Sequence, residues 1–341
     1  MRPWGLALVS AVAACGAAVA YGCGSSNNTS GFTADSGSGG SSGGSGGSSG
    51  AGSGGSSGAS GSSSGGSFGD GGGGDGGSCT PPDMLIVLDH TDSMSAEPNG
   101  GKPANNMAGH MLTKWYLATQ AVKAAVAPPM DQKVAYGLEP FPLDPQVITD
   151  AGGTGKCETL TNLLGGTAST NTQCQAGEVL VTPAVNTGMT ISNILNPETM
   201  RLCVSTPIAL ALGTAQKELA SIVKSGVSQY VLLVTDGGET CSGDVVGITQ
   251  QLAASGIKTF VVGFGAADAG AKGVNTKLLD NVACAGETAT GFPAPCTKGD
   301  AGGYTATSTS GAPLFYLAED GASLQMALQK ITSSICCGCA Q

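Results

Sequence analysis

Three oxygen-bearing side chains follow a strongly apolar segment of the sequence. Residues Met84 to Leu88 are all apolar, which is typical of a strand buried on both faces. Asp89, Thr91 and Ser93 come next at alternate positions. Because alternate residues of an extended chain point the same way, one carboxylate and two hydroxyls can converge just beyond the strand. Ligands bind at this end of the strands in open α/β sheets, and hard oxygen donors with little charge suit Mg²⁺.

This segment resembles the first motif of the metal-ion-dependent adhesion site (MIDAS) of von Willebrand factor type A domains, which reads D-x-S-x-S. Here the sequence is DHTDS, so Thr91 replaces the first serine and keeps its hydroxyl, whereas Asp92 adds a carboxylate where the family often has glycine. Two further segments come later in the chain in the family's order: STPIALAL from Ser205, and VLLVTDGGETC from Val231. The resemblance extends from Cys79 to the C-terminus.

The resemblance implies a metal site with five ligand residues. Thr206 would add a hydroxyl from the second segment and Asp236 a carboxylate from the third. Together with Asp89, Thr91 and Ser93 they would hold Mg²⁺, or Mn²⁺ or Ca²⁺ in its place. Hydroxyl ligands leave the charge of the ion partly uncompensated, so an open coordination position can accept a carboxylate from a protein or other macromolecular partner.

The implied function is therefore that of a binding module and not of an enzyme. No base accompanies Ser93 in the sequence, and the chain has no G-x-S-x-G motif. The alternative is a disulfide-stabilised envelope scaffold, in which Asp92 and the Thr91 substitution leave a degraded site that needs no metal. Near the site, we expect His90 to lie on the rim and Glu239 to be a solvated loop carboxylate, with an approach of Glu239 to the metal loops as the alternative.

The N-terminal residues are typical of an exported protein. Arg2 precedes an apolar segment from Leu6 to Ala20, and small residues then lead to Cys23. This order predicts a signal peptide over residues 1–23 and resembles a bacterial lipobox, in which the cysteine is lipidated. Cys15 is a competing lipidation site, and ordinary cleavage of the signal peptide without a lipid is the other alternative. We therefore expect an exported protein that is lipid-anchored in the cell envelope, at the outer membrane or the cell surface.

The segment after the predicted anchor has an extreme composition. Residues 24–78 are nearly all glycine and serine and have too little apolar surface to fold, so they are predicted to form a flexible linker. Such a coil spans on the order of 40 Å. The net charge of −10 argues against nucleic acid as a partner, since phosphate binding needs a basic surface. Twelve cysteines suit an oxidising compartment.

Residues 79–341 form the predicted domain, in which strands alternate with helices. This alternation predicts an α/β fold with a doubly wound, mostly parallel sheet and helices on both faces. The resemblance adds one antiparallel edge strand, which we place at Glu178 to Val185. Ser205 is expected to cap the helix that comes after it, and Asp320 to cap the last helix. The other predicted strands are 84–88, 134–138, 230–234, 257–264 and 314–317, and the predicted helices begin near residues 111, 206, 245, 276 and 321.

The domain contains ten cysteines once Cys15 and Cys23 are set aside, an even number whose pairing the sequence does not give. Because the chain ends lie close together in the implied fold, we expect a bridge between them. The expected pairs are Cys79 with one of Cys336, Cys337 and Cys339, then Cys203–Cys241, Cys157–Cys174 and Cys284–Cys296. A site for a soft metal ion at Cys336 to Cys339 is the alternative for the C-terminal cluster.

Overall fold

The structure is a computed structural model. It describes residues 79–103, 110–144, 157–159, 163, 174–196, 201–267, 273–308 and 311–338. The predicted signal peptide, the lipidation sites Cys15 and Cys23, the linker 24–78 and Cys339 lie outside the described residues. Within the described ranges, no helix is both long enough and apolar enough to span a bilayer.

A six-stranded sheet forms the centre of the domain. The strands are, in chain order, β1 (Asp83–Asp89), β2 (Ala135–Phe141), β3 (Glu158–Thr159), β4 (Val181–Ala184), β5 (Arg201–Leu202), β6 (Gln229–Thr235), β7 (Ile257–Phe264), β8 (Cys296–Lys298), β9 (Tyr304–Ala306) and β10 (Tyr316–Ala318). The central sheet has the order β10–β7–β6–β1–β2–β4, and β3–β5 and β8–β9 form two small antiparallel pairs. All neighbours in the central sheet are parallel except β2 and β4. The predicted mostly parallel sheet with one antiparallel edge strand is confirmed.

Helices cover both faces of the sheet. They are α1 (Lys114–Ala125), α2 (Gly188–Ile194), α3 (Ile208–Ser221), α4 (Val245–Ala254), α5 (Thr276–Ala285) and α6 (Gly321–Ile335). Successive side chains of β1 alternate between the two faces: Met84 and Ile86 join the core with α1 and α6, whereas Leu85 and Val87 join the core with α3, α4 and α5. Burial on both faces explains why β1 is an unbroken apolar segment.

The ends of the helices agree only partly with the predicted caps. Asp320 caps α6 through a 2.7 Å bond from the backbone amide of Ser323, as predicted. Helix α1 begins three residues later than the apolar pattern indicated, because Thr113 accepts a 3.0 Å hydrogen bond from the amide of Tyr116 and so caps it. The prediction that Ser205 caps α3 is wrong. Helix α3 begins after Pro207, and the side chain of Pro207 makes no capping hydrogen bond.

Four disulfides join described cysteines, and two of the four expected pairings are wrong. Cys79–Cys337 ties the chain ends, and Cys284–Cys296 closes a local loop, as expected. Cys203 pairs with Cys157 and Cys241 with Cys174, instead of with each other. The long segment between β2 and β5 thus supplies one cysteine to each of two site loops. Because Cys337 is oxidised, it is not a thiolate ligand of a soft metal.

Candidate metal centre

Asp89 is the last residue of β1, where the strand leaves the sheet between β2 and β6. Its side chain is fully buried. The backbone amide of Thr91 donates to its Oδ1 at 2.9 Å, and the hydroxyl of Thr235 donates to its Oδ2 at 2.6 Å. These two bonds hold the carboxylate in one orientation and offset part of the cost of its burial.

The hydroxyls of the loop after β1, which we call the first loop, converge with a carboxylate from the loop after β6, which we call the third loop. Thr91 Oγ1 lies 2.8 Å from Ser93 Oγ, and the Ser93 hydroxyl donates to Asp236 Oδ1 at 2.8 Å. Neighbouring oxygen ligands of an octahedral Mg²⁺, each about 2.1 Å from the ion, lie about 2.9 Å apart. The donor set and the separations of its oxygens therefore fit a small, hard cation.

Backbone hydrogen bonds fasten the first loop to the residues that lead into the second. Thr91 forms an isolated parallel bridge with Cys203. The amide of Asp92 donates to the carbonyl of Cys203 at 2.8 Å, and the amide of Cys203 donates to the carbonyl of His90 at 3.1 Å. Arg201, in β5, makes a bidentate ion pair with Asp144. The Thr91 position is thus fixed by a neighbouring chain segment as well as by its own loop.

His90 does not lie on the rim, and that prediction is wrong. Its side chain is buried, its Nδ1 donates to the carbonyl of Arg201 at 2.7 Å, and its ring lies 6.0 Å from that of Trp115. Burial lowers the pKa of His90. Through its bond to Arg201, the imidazole helps to hold the first loop against β5.

The second loop, which leads from β5 into α3, is joined to the third loop by hydrogen bonds. Ser205 has a φ of +36°, a left-handed conformation that is uncommon for a residue with a side chain, and it directs the chain into Thr206. The amide of Thr206 donates to Thr240 Oγ1 at 2.6 Å, and the amide of Thr240 donates to the carbonyl of Thr206 at 3.1 Å. Thr206 is buried. The described bonds thus place Thr206 against the third loop, while Asp89, Thr91, Ser93 and Asp236 form one connected set.

Glu239 is not a solvated carboxylate, and that prediction is also wrong. Its Oε2 accepts from the amide of Ala209 at 2.9 Å, and its Oε1 accepts from the amide of Cys241 at 2.6 Å. A carboxylate at a helix N-terminus satisfies amides that have no partner within the helix. Glu239 therefore provides the cap for α3 that Ser205 was expected to provide, and it joins the two loops across the site.

The sequence analysis missed one charged residue of the site. Lys114, the first residue of α1, has a fully buried side chain, and its Nζ lies 2.5 Å from Asp236 Oδ2. A lone lysine after a threonine carries no motif, and it lies eighteen residues after Ala96, the end of the first loop. The only signal in the sequence was a charged residue at the start of a predicted helix, next to Trp115 and Ala118 of its apolar face. A charged residue at such a place is rarely buried unless it is paired.

Burial and mutual repulsion control the charges of the two aspartates. Burial raises the pKa of Asp89, and the nearby negative charge of Asp236 contributes to the same rise. Burial also raises the pKa of Asp236, whereas the ammonium of Lys114 acts in the opposite direction. Two carboxylates in a dry site repel each other, so a cation between them stabilises both in the charged form.

The composition of the site selects among metals. No group of three or more His, Cys, Asp or Glu side chains forms a metal site in the part of the chain that the structure describes. The candidate ligands are two carboxylates and hydroxyls, and such oxygens suit Mg²⁺, Mn²⁺ or Ca²⁺ better than Zn²⁺, which prefers nitrogen and sulfur.

The comparison with protein families agrees with this geometry. Residues 192–291 match the von Willebrand factor type A domain. The match spans under a third of the chain and includes Thr206 and Asp236, whereas Asp89, Thr91 and Ser93 precede it. With the strand order of the central sheet, it identifies the fold as that of a von Willebrand factor type A domain. No curated protein matches the sequence.

Several solved structures resemble the chain at low sequence identity. An aerotolerance-related membrane protein from Bacteroides fragilis is 14% identical with a TM-score of 0.40, over 74% of this chain and 98% of that one. A manganese-loaded TRAP protein from Plasmodium vivax is 13% identical with a TM-score of 0.43, over 77% and 76%. Proximal thread matrix protein 1 from the mussel byssus, with a zinc-occupied MIDAS motif, is 11% identical with a TM-score of 0.40, over 75% and 48%. The fold assignment does not depend on these three.

Proposed function

We propose that this protein is a cell-envelope binding module whose von Willebrand A domain holds a divalent cation and, through it, a macromolecular partner. The convergence of Thr91, Ser93 and Asp236 within 2.8 Å contacts carries the proposal. Asp89, Thr91, Ser93, Thr206 and Asp236 would hold the ion. A bound Mg²⁺ or Mn²⁺ would supply a Lewis-acidic position open to a carboxylate of a protein or other macromolecule.

The chain's own residues prepare the site for that role. Asp89 is oriented by Thr91 and Thr235, so its carboxylate needs no rearrangement to face a cation. Backbone hydrogen bonds join the first loop to Cys203 and the second loop to the third loop. These bonds hold the ligand residues in position. Such preorganisation lowers the entropy lost on binding.

A binding role, rather than a catalytic one, is supported by the surroundings of Ser93. Its hydroxyl donates to Asp236, whose carboxylate also contacts the ammonium of Lys114, and that positive charge reduces the basicity of the carboxylate. The nearest histidine in sequence, His90, is directed toward the carbonyl of Arg201. Ser93 therefore lacks the activated state that a serine nucleophile requires, and we propose that the protein is not an enzyme.

The direct test is thermal unfolding of the oxidised protein with Mg²⁺, with Mn²⁺ and with EDTA, for the wild type and for Asp89→Ala. An ion that binds only the folded protein raises Tm by mass action. We expect a rise in the wild type that Asp89→Ala abolishes, with the same loss in a pull-down of carboxylate-bearing partners. Equal Tm values with and without divalent ions would count against the metal site.

We further propose that lipidation of Cys23 anchors the protein in the envelope, with residues 24–78 as the tether. Partition into a detergent phase after expression in a lipoprotein-processing host tests this. Cys23→Ser should leave the protein in the aqueous phase, and Cys15→Ser should not. The opposite result would place the anchor at Cys15.

One observation favours a second candidate, a metal-independent scaffold. The ammonium of Lys114 already partly neutralises the carboxylates of the site, and four disulfides hold the described domain together. A domain built this way needs no ion to fold. Partner capture that persists in EDTA and in Asp89→Ala would favour the scaffold.

A further inference from the structure

Lys114 places a permanent cation inside the candidate metal centre. Its side chain and that of Asp236 are both fully buried, and Nζ lies 2.5 Å from Asp236 Oδ2. The other oxygen of the same carboxylate accepts from Ser93. The ammonium thus contacts one oxygen of a proposed ligand residue, Asp236, and the Ser93 hydroxyl contacts the other oxygen.

Lys114 is held in place by its backbone as well as by its side chain, which is buried. Its backbone amide donates to the carbonyl of Ala96 at 2.8 Å, which ties the start of α1 to the end of the first loop. Gly265, with a φ of +139°, passes so close that an added Cβ would lie 3.5 Å from Lys114 Cδ and 3.8 Å from its Nζ. The backbone just after β7 therefore lies beside the lysine side chain.

Charge balance shows what this ammonium does to a second cation. With Asp89 and Asp236 ionised, Lys114 leaves the buried site with one net negative charge. A divalent ion added beside the lysine would give a net positive charge in a dry environment, where like charges repel strongly. Lys114 must then leave its position, or the ion binds weakly.

We propose that Lys114 is an internal counter-cation that competes with the divalent ion for Asp236, so that loading the site requires the lysine side chain to move away. The proposal rests on the metal-binding function proposed above and adds its regulation. Lys114 is accordingly a positioning residue: it stabilises the metal-free domain and sets the concentration of divalent ion at which the site fills.

The test is calorimetric titration of the purified, oxidised full chain with Mn²⁺ alone. The variants are Lys114→Met, Lys114→Gln, which keeps a polar end in case the methionine variant does not fold, and Lys123→Met. Lys123 lies in the last turn of the same helix and serves as the matched control. Thermal unfolding of each protein in EDTA and in Mn²⁺ is the second readout.

Removal of the ammonium should tighten Mn²⁺ binding at least about tenfold, while Lys123→Met binds like the wild type. In EDTA the Lys114 variants should unfold at lower temperature than the wild type, because Asp236 loses its partner, and Mn²⁺ should restore most of that loss. A lysine that merely filled space would lower Tm without this rescue by a divalent ion.

The outcomes separate the two proposals. Equal Mn²⁺ affinity in wild type and Lys114 variants overturns the competition and leaves the proposed function intact. Binding in the Lys114 variants alone supports the competition and overturns the metal-dependent function in favour of the scaffold. Absence of binding in every protein overturns both.

Discussion

The site owes its properties to a few buried charged side chains and their partners. Asp236 connects the Ser93 hydroxyl with the Lys114 ammonium, and both of its oxygens are used. The resemblance to three motifs of the family implied that Asp89, Ser93 and Asp236 belong to one site, because each stands at a ligand position of its motif. It did not predict Lys114, since the contact depends on where α1 begins relative to the third loop, and no local pattern reports that position.

Asp236→Ala should destabilise the metal-free protein by about 3–5 kcal/mol. The variant removes the carboxylate of a fully buried ion pair with the Lys114 ammonium, which costs more than the loss of the contact itself. The double variant Asp236→Ala, Lys114→Met should be clearly more stable than Asp236→Ala alone. Urea unfolding in EDTA measures all three, and additive losses in the double variant would contradict a coupled pair.

Glu139 makes the stability of the domain depend on pH. It lies fully buried on β2, and within the described residues neither carboxylate oxygen has a hydrogen-bond partner. Burial raises the pKa of Glu139 well above its usual range, and the charge of Glu218 raises it further. An acid whose pKa is raised on folding stabilises the protein below its unfolded pKa and loses that contribution as pH rises through the folded pKa.

The free energy of unfolding should therefore fall as pH rises from about 4.5 toward 8, and Glu139→Gln should remove part of that fall. At pH 8 the variant should melt about 2–4 °C above the wild type, and near pH 4 this advantage should vanish. Glu319→Gln, at an exposed position, is the control. Asp89 contributes a slope of the same sign in both proteins, so parallel curves for wild type and Glu139→Gln would refute a role for Glu139.

At the scale of elements, the site is a junction of three loops that different devices fasten together. Backbone pairing joins the first loop to Cys203, whereas Glu239 joins α3 to the third loop. Disulfides then link Cys203 and Cys241 to the segment between β2 and β5. The sequence indicated that these cysteines flank site loops. The sequence could not give the partners of these cysteines. Their pairing depends on the conformation of the long segment between β2 and β5, whose sequence has only a weak pattern.

Glu239→Ala should cost about 1–2 kcal/mol, because two partly buried amides, those of Ala209 and Cys241, lose their acceptor. Glu239→Gln keeps one acceptor oxygen and should cost roughly half as much. If Glu239 also sets the register of the second and third loops, Mn²⁺ affinity should decrease in the same order. Unfolding and titration of both variants check this, and unchanged affinity would limit Glu239 to a structural cap.

At the scale of the whole molecule, periodicity predicted a mostly parallel sheet covered by helices on both faces, whereas the strand order came from the family resemblance. The apolar strands and the amphipathic helices identified most elements, and right-handed crossover rules limited their arrangement. The antiparallel edge came from the resemblance, and the structure places it at Val181–Ala184 instead of the longer predicted 178–185. Its start was misplaced because an edge strand with one exposed face, and with Pro183 inside it, has only a weak pattern.

The bridge between the chain ends should contribute more to stability than a local one. Cys79 precedes β1 and Cys337 comes after α6, so their disulfide closes a loop of 258 residues, whereas Cys284–Cys296 closes one of 12. In the chain-entropy account, a longer loop restricts the unfolded chain more. Replacing Cys79 and Cys337 with alanine should cost about 5–6 kcal/mol, and replacing Cys284 and Cys296 about 3 kcal/mol, as measured by urea unfolding of each variant.

The same terminal bridge holds β1 at the end of the domain where the predicted tether would pull. It joins the start of β1 to the residues after α6, and the amide of Cys337 also donates to the carbonyl of Lys133 at 3.2 Å. Without the bridge, the start of β1 should fray, and hydrogen exchange of its first amides should rise ahead of those in β6 and β7. Exchange that rises equally in all three central strands would show that the sheet opens as one unit and that the bridge acts only on the unfolded chain.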